Sequence, residues 1–414
     1  MTVLNSDRAR YWPSPPDSAA RHQDTHGTGF WRIITDCVHP QASRTTSDPL
    51  PGPDNMPRTE NIARSDSTAR HGLPFLASRR SWLPIACLIS TLLPFTFAEA
   101  ETPSHAAERY WSFQLENDFL ADAGDRYYTN GFQVSHLRMG RPPSWLERLA
   151  AFFPAFRSDG SIVGTQYTVG QQIFTPDDTQ AVEVVPDDRP YAGYLYFSTN
   201  LLARVQHARR RDTGNLLELT LGIVGPASLA EQSQTWFHKL FGNDVPQGWH
   251  NQLANEPALG ISYSRFWRNI HPVAGHLEMG LNPQVTATIG NVHTYGAAGV
   301  MWRLGTHLNH DLSPPNIRPG FPGFAYFAVD RGFSWYVFAG IEGRLVLRNI
   351  FLDGNSFTDS HSVTKEPLVG DLQFGVVLRF GKVRVALSNM QRSREFTTQS
   401  QPTRYGALNL SIAL

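Results

Sequence analysis

Beyond residue 100 no apolar run reaches the roughly 20 residues that a membrane-spanning helix needs, yet apolar side chains recur at every second position. Leu408, Leu410, Ile412 and Leu414 alternate with Ala407, Asn409, Ser411 and Ala413, giving an extended segment one greasy and one small or polar face. Trp111, Phe113 and Leu115 alternate with Ser112, Gln114 and Glu116 in the same way, as do Phe132 and Val134 with Gln133 and Ser135. Similar runs fall at 110–118, 128–138, 165–175, 191–205, 215–225, 257–268, 273–288, 297–305, 333–347, 367–380, 381–390 and 403–414, about twelve in all. The first and last carry a full apolar face, as strands do when they pair to close a barrel. The expectation is an all-β fold: a transmembrane antiparallel β-barrel of about 12 strands.

Export is expected from the segment ahead of these runs. Arg79 and Arg80 precede an apolar stretch interrupted by Pro84 and Pro94, which leads to Ala98-Glu99-Ala100. That pattern reads as a signal peptide over 79–100, cut after Ala100, with 101–414 as the mature barrel domain. Residues 1–78 are polar, show no sustained period and lack the apolar surface to offset ordering entropy; Met56 is an alternative start, so this extension is read as disordered or untranslated. Both cysteines, Cys37 and Cys87, fall in the leading part, so a closed sheet rather than disulfides must hold the rest together. The 36 basic and 36 acidic residues balance with no basic stripe, which argues against nucleic acid as a partner. The 12% aromatic content, including Tyr191, Tyr194, Tyr196 and Phe197, suits interfacial girdles and a cell outer membrane location.

Two places break the β rhythm. Ser228-Leu229-Ala230-Glu231 has the form of a capping box, and a helix is predicted over roughly 229–241, ending at Gly242. It is too short to cross a membrane and is expected beside the barrel rim, carrying His238 with Asp244 six residues on. An imidazole with a nearby carboxylate suits a general base or a metal ligand, although a helical histidine is more often a packing residue. The second place is the end of the first strand, where Glu116, Asn117 and Asp118 follow one another. Polar residues there usually form a turn; their oxygens also suit a hard cation such as calcium.

The segments ENDFLADAGDRYYTNGF, DDRPYAGYLY, LGIVGP followed by FHKLFG, GWHNQL and FLDGNSF occur in order between residues 110 and 414. Together they resemble the outer-membrane lipid A 3′-O-deacylase (LpxR-like) family. The resemblance implies a twelve-stranded barrel that removes the 3′-acyloxyacyl group of lipid A in the outer leaflet, with calcium as cofactor and lipopolysaccharide as partner. It places the family's site residues on Asn117, Asp118, Thr129, His238 and Asp244. Where the family has Glu, this chain has the shorter Asp244, so Glu256 is an alternative partner for His238; the chain also ends on Leu414 rather than an aromatic residue.

On this reading His238 takes a proton from water, Asp118 and Asp244 hold calcium, and the metal and Asn117 stabilise the oxyanion. Period two places the Thr129 hydroxyl on the same face as Gln133. The DDRP motif at 187–190 is expected to shape a turn and pair internally rather than to bind phosphate through Arg189, and FLDGNSF to turn through Asp353-Gly354. An outer-membrane phospholipase and a passive porin-like barrel are the competing functions; no G-x-S-x-G segment marks a serine nucleophile.

Overall fold

The computed structural model describes residues 108–118, 127–153, 156, 161–208, 211–312, 317–318, 321–322, 324–329 and 332–414. The extension at 1–78 and the signal segment at 79–100 lie outside these residues. Twelve antiparallel strands follow one another around a closed barrel: β1 (Arg109–Asn117), β2 (Tyr127–Met139), β3 (Ser161–Thr175), β4 (Ala192–Ala208), β5 (Arg211–Val224), β6 (Glu256–Ala274), β7 (Leu277–Gly290), β8 (His293–Thr306), β9 (Phe333–Asn349), β10 (Leu368–Phe380), β11 (Val383–Arg392) and β12 (Thr403–Ala413). As the alternation predicts, β1 pairs with β12, from Tyr110 opposite Ala413 to Asn117 opposite Gly406. Closure leaves no sheet edge to be satisfied by lipid.

The barrel is inside out relative to a water-soluble one. Trp111 and Phe113 are 40% and 41% exposed, whereas Ser112 and Gln114 are 6% and 2% exposed. Phe132, Val169, Phe197, Leu221, Leu259 and Ile289 continue the exposed apolar wall. Such a wall faces lipid, and no helix among the described residues is long and apolar enough to cross a membrane instead.

Polar side chains fill the lumen and pair there. Asn409 Nδ2 donates to Ser112 Oγ (3.0 Å) and Gln114 Oε1 (3.1 Å), stitching the closing seam from inside. Arg268 Nε donates to Asp212 (2.8 Å), Arg384 Nε to Asp311 (2.7 Å) and Arg392 Nε to Asp371 (2.8 Å). Leu312 and residues 324–327, from the chain between β8 and β9, enter this space. Tyr110 donates to the Phe327 carbonyl (2.8 Å), Gln166 accepts from the Ala325 amide (2.9 Å), and Leu312, Phe324 and Phe327 are buried against Tyr110, Leu137 and Leu216.

One rim carries the C-terminal ends of β1, β3, β5, β7, β9 and β11, with the described connections 176–191, 225–255, 291–292, 350–367 and 393–402; the other carries the C-terminal ends of β2, β4, β6, β8, β10 and β12. Among the described residues three α-helices with full bounds sit outside the ladder: α1 (Ser144–Ala150), α2 (Ala230–Phe241) and α3 (Ile350–Asp353). The expected turn in FLDGNSF is the end of α3, with Gly354 at φ 77°. The run read as 273–288 instead divides at Gly275 (φ 54°), because Asn269 and Ile270 stay in the β6 ladder opposite Leu281 and Gly280. Polar Arg268 and Asn269 resemble a turn in sequence, yet Arg268 points into the lumen to meet Asp212.

Candidate active site

The tip of β1 and β2 is built from both faces of the wall. On the lumen side Glu116 takes a hydrogen bond from the Tyr128 hydroxyl and another from Gln114 Nε2 (2.6 Å), while the Tyr128 ring lies edge-on to Tyr405 at 4.7 Å. Gly131 is required here, since a Cβ would run into the Tyr128 hydroxyl. Asn117 follows Trp111, Phe113 and Leu115 in the outward set but is only 8% exposed, so it lies beneath other protein rather than against lipid. Its Nδ2 donates to the Thr129 carbonyl (3.0 Å), leaving the amide oxygen as the accepting end. Asp118, just past the strand on the same rim, is 3% exposed.

Thr129 does not face the same way as Gln133. The β2–β3 register shifts between Tyr128 and Asn130, so Thr129 is the extra residue of a bulge, and the alternation counted from Gln133 fails there. Gln133 points inward and accepts from the Tyr196 hydroxyl (3.1 Å). The Thr129 hydroxyl instead lies 2.7 Å from that of Thr175, which continues the outward set Gln171 and Ile173 of β3.

The segment after β5 lies on the outer wall. A 3-10 turn at Pro226–Ser228 touches β4 and β5, and α2 touches β4 and β3, so the chain walks across the barrel toward β2 and β1. Gly193, outward on β4, makes the seat: a Cβ there would meet Ser228 Oγ and the Ala230 side chain. Gln171 Nε2, outward on β3, donates to the Ser228 carbonyl (2.6 Å), and Ile173 packs with Ala230, Tyr191 and Trp249. The capping box is not formed. Leu229, in the left-handed region at φ 60°, precedes the helix, and the Ser228 side chain is buried against Gly193 instead of reaching a helix amide.

Ala230, Gln234 and His238 recur every fourth residue as the buried stripe of α2. Trp249 Nε1 donates to Gln234 Oε1 (2.8 Å), and Gly242 at φ 74° ends the helix. The chain then doubles back, bringing the Asp244 main-chain carbonyl to 2.6 Å from His238 Nδ1. The carboxylate of Asp244 is not His238's partner in this contact, and the residue is exposed. Nor does Glu256 take that place as the alternative partner: its carboxylate accepts from Asn291 Nδ2 (2.8 Å), Asn355 Nδ2 (3.1 Å) and the Ser356 amide (2.7 Å), tying loops together around β6 and β9.

Arg189 fulfils the internal reading of its motif. It is 1% exposed, 3.4 Å from Glu395 and over the Phe174 ring at 4.9 Å, while Asp188 accepts from the Asp177 and Arg189 amides (2.7 Å each). Burial pushes the Asp188 carboxyl up and the Arg189 guanidinium down from their ordinary values.

Asn117 and Thr129 therefore share the outer side of the β1–β2 tip, His238 lies on the outer wall over β3 and β4, and Asp118 stands at the same rim. A family profile described as outer membrane protein LpxR matches residues 83–414. The chain belongs to the LpxR family. Among solved structures, LpxR from Salmonella typhimurium aligns with a TM-score of 0.61 at 19% identity, covering 74% of this chain and 100% of its own. The β-domain of the Bordetella autotransporter BrkA gives a TM-score of 0.40 at 10% identity over 75% of this chain and 100% of its own. The KdgM porin gives 0.31 at 6% identity over 74% and 99%. None of the curated proteins matches.

As an LpxR-family chain it is an outer-membrane protein, which accounts for the exposed apolar wall and the polar lumen. Thr175, Gln171, Gln234 and Trp249 complete the neighbourhood of the site, and sequence reading passed over all four. The first two look like ordinary strand residues, and the partnership of the other two spans 15 positions. Only the Trp in GWHNQL, in a polar stretch right after a helix, signals a docking role.

Proposed function

We propose that this LpxR-family barrel is a calcium-dependent lipid A 3′-O-deacylase, hydrolysing the 3′-acyloxyacyl ester with water activated by His238. The observation that carries this reading is the 2.6 Å contact between His238 Nδ1 and the Asp244 carbonyl. A carbonyl only accepts, so Nδ1 bears a proton, and in the neutral ring Nε2 then keeps the lone pair, the form a general base needs. The position of His238 on the outer wall suits an ester that sits in the outer leaflet.

The donor chemistry fits a hard cation held by few protein oxygens. Asp118 offers a buried carboxylate and Asn117 its amide oxygen, both of the class calcium takes, with water and ester oxygens to complete the shell. Asp244 enters this reading through its main-chain carbonyl, which holds His238, while its carboxylate stands with Asp118 as a proposed calcium ligand. When bound, calcium at Asp118 supplies a Lewis acid for the ester carbonyl.

The protein's own groups move the proton. His238 Nε2 takes it from water as the water oxygen bonds to the acyl carbon, then returns it to the departing 3′ oxygen. The products are a free acyloxyacyl acid and a 3′-hydroxyl. Asn117 is a positioned donor or acceptor at the reacting end, and the Thr129–Thr175 contact fixes the β1–β2 tip against β3. The filled lumen counts against the porin reading, since a passive pore has no use for Leu312, Phe324 and Phe327 buried inside it.

Mass spectrometry of lipid A from cells expressing the protein tests the proposal. Loss of one acyloxyacyl group is expected, blocked by a chelator and by His238→Ala. Intact lipid A alongside altered phospholipids would instead assign the site to phospholipase chemistry.

A further inference from the structure

The wall-facing stripe of α2 leaves a second apolar face unaccounted for. Leu229, Trp236, Leu240 and Phe241 are 55%, 65%, 59% and 62% exposed, and Phe237 packs on Phe241 at 4.7 Å. At 3.6 residues per turn Leu229, Trp236 and Leu240 fall within about 40° of one another on the side turned away from the buried Ala230–Gln234–His238 stripe, Phe237 and Phe241 bridge that side to the stripe, and Glu231, Thr235 and Lys239 occupy the remaining flank. The wall next to the helix is also apolar and open: Val169, Phe197 and Leu221 face outward on β3, β4 and β5, each at least 42% exposed. The flank of α2 is thus continuous with the lipid-facing belt of the barrel. Left in water, it would be an apolar patch of a size that soluble surfaces avoid.

We propose that α2 is an interfacial helix whose Leu229–Trp236–Leu240–Phe241 flank is embedded among acyl chains of the outer leaflet, so that ester substrates reach His238 sideways from the lipid phase. The sideways route rests on the hydrolase reading above; the embedding does not. A helix with one apolar flank and one charged flank lies in the plane of an interface with its apolar side sunk just below the headgroups. His238, between the two flanks on the wall side, is then held at the depth where headgroup gives way to acyl chain. That is where an ester joining a sugar to a fatty acyl group lies. The occupant is hydrocarbon, because no charged side chain stands among those four residues.

Depth-dependent quenching tests this without any activity measurement. With Cys37 and Cys87 replaced by serine, single cysteines at 236, 240 and 231 each carry an environment-sensitive fluorophore, and the protein is placed in phosphatidylcholine vesicles. Probes at 236 and 240 are expected to be blue-shifted, quenched by nitroxide on the lipid acyl chain and at least about tenfold less sensitive to aqueous iodide than the probe at 231, as burial in hydrocarbon requires. Equal iodide quenching at 236 and 231 overturns the proposal. A blue shift without nitroxide quenching, with energy transfer between labels on separate molecules, also overturns it and assigns the flank to a second copy of the chain.

A kinetic arm tests the access route. Trp236→Ser combined with Leu240→Ser is expected to raise KM about tenfold for ester embedded in vesicles, with kcat on detergent-dispersed ester unchanged, since uniform binding is what is removed. An unchanged KM in vesicles overturns lateral access, whereas absence of hydrolysis in every variant overturns the hydrolase reading and leaves the quenching result standing.

Discussion

His238 and Asp244 divide one task between a side chain and a main chain. The proton on Nδ1 is held by a carbonyl, and every residue type offers a carbonyl, so replacing the Asp244 side chain leaves the contact in place. Asp244→Ala is expected to retain ester hydrolysis within about tenfold, whereas His238→Ala loses on the order of 10²–10⁴, the usual worth of a positioned general base. Rates of fatty-acid release from purified lipid A compare the two, and an Asp244→Ala loss as large as that of His238→Ala would return the catalytic role to the carboxylate. Asp118 has a different test because its proposed work is done by charge. Asp118→Asn keeps size and oxygen but removes the negative charge, and the calcium needed for half-maximal rate is expected to rise by about tenfold or more. A calcium curve identical to that of the unaltered protein would move the cation elsewhere.

At the scale of elements, the proposed site depends on a helix from the β5–β6 connection lying on β3 and β4. Gly193 sets how closely it lies, since Ser228 and Ala230 occupy the space a Cβ would need. Gly193→Val therefore lifts α2 while the strand, for which valine is well suited, remains in its ladder. A displacement of about 1 Å at a catalytic group costs on the order of 10² in rate. Activity should fall by that order while the closed barrel, followed by its resistance to detergent until heated, is unchanged; activity within a factor of about two would mean the helix position does not govern catalysis. The strands, and the helix as such, were legible because burial on one face imposes a period that survives in a single sequence. Its cap was not legible: Ser228 has the residue type of a cap, but Gly193 on another strand offers it a burial site instead. Thr129 was misdirected for the same kind of reason. A bulge is a property of two paired strands, and nothing in YYTNG alone announces that Thr129 is the residue left out of the β2–β3 register.

At the scale of the whole molecule, the outer wall and the lumen have exchanged the usual roles of surface and core. Because the outward side chains are apolar, the charged residues needed to hold the barrel's shape collect inside, where Arg268, Arg384 and Arg392 each meet a carboxylate. Asp311 joins this inner network to the inserted β8–β9 connection: its carboxylate takes Arg384 Nε (2.7 Å) and the Tyr336 hydroxyl (2.9 Å), and its carbonyl takes Arg268 (3.0 Å) and Arg303 (3.1 Å). One residue thus ties β6, β8, β9 and β11 to the segment that fills the lumen. Removing one partner of a buried ion pair costs about 3–5 kcal/mol, because the remaining charge loses its counter-ion in a medium that solvates it poorly. Asp311→Ala is expected to lower barrel stability by about that amount and to loosen the inserted segment. The unaltered protein in a planar bilayer should pass no steady ionic current, while Asp311→Ala should show intermittent openings as the segment leaves its seat. Porin-like conduction by the unaltered protein would contradict a lumen packed with side chains. Silence in both proteins, with stability lowered, would show that the inserted chain is held by its apolar contacts with Tyr110, Leu137 and Leu216 rather than by Asp311.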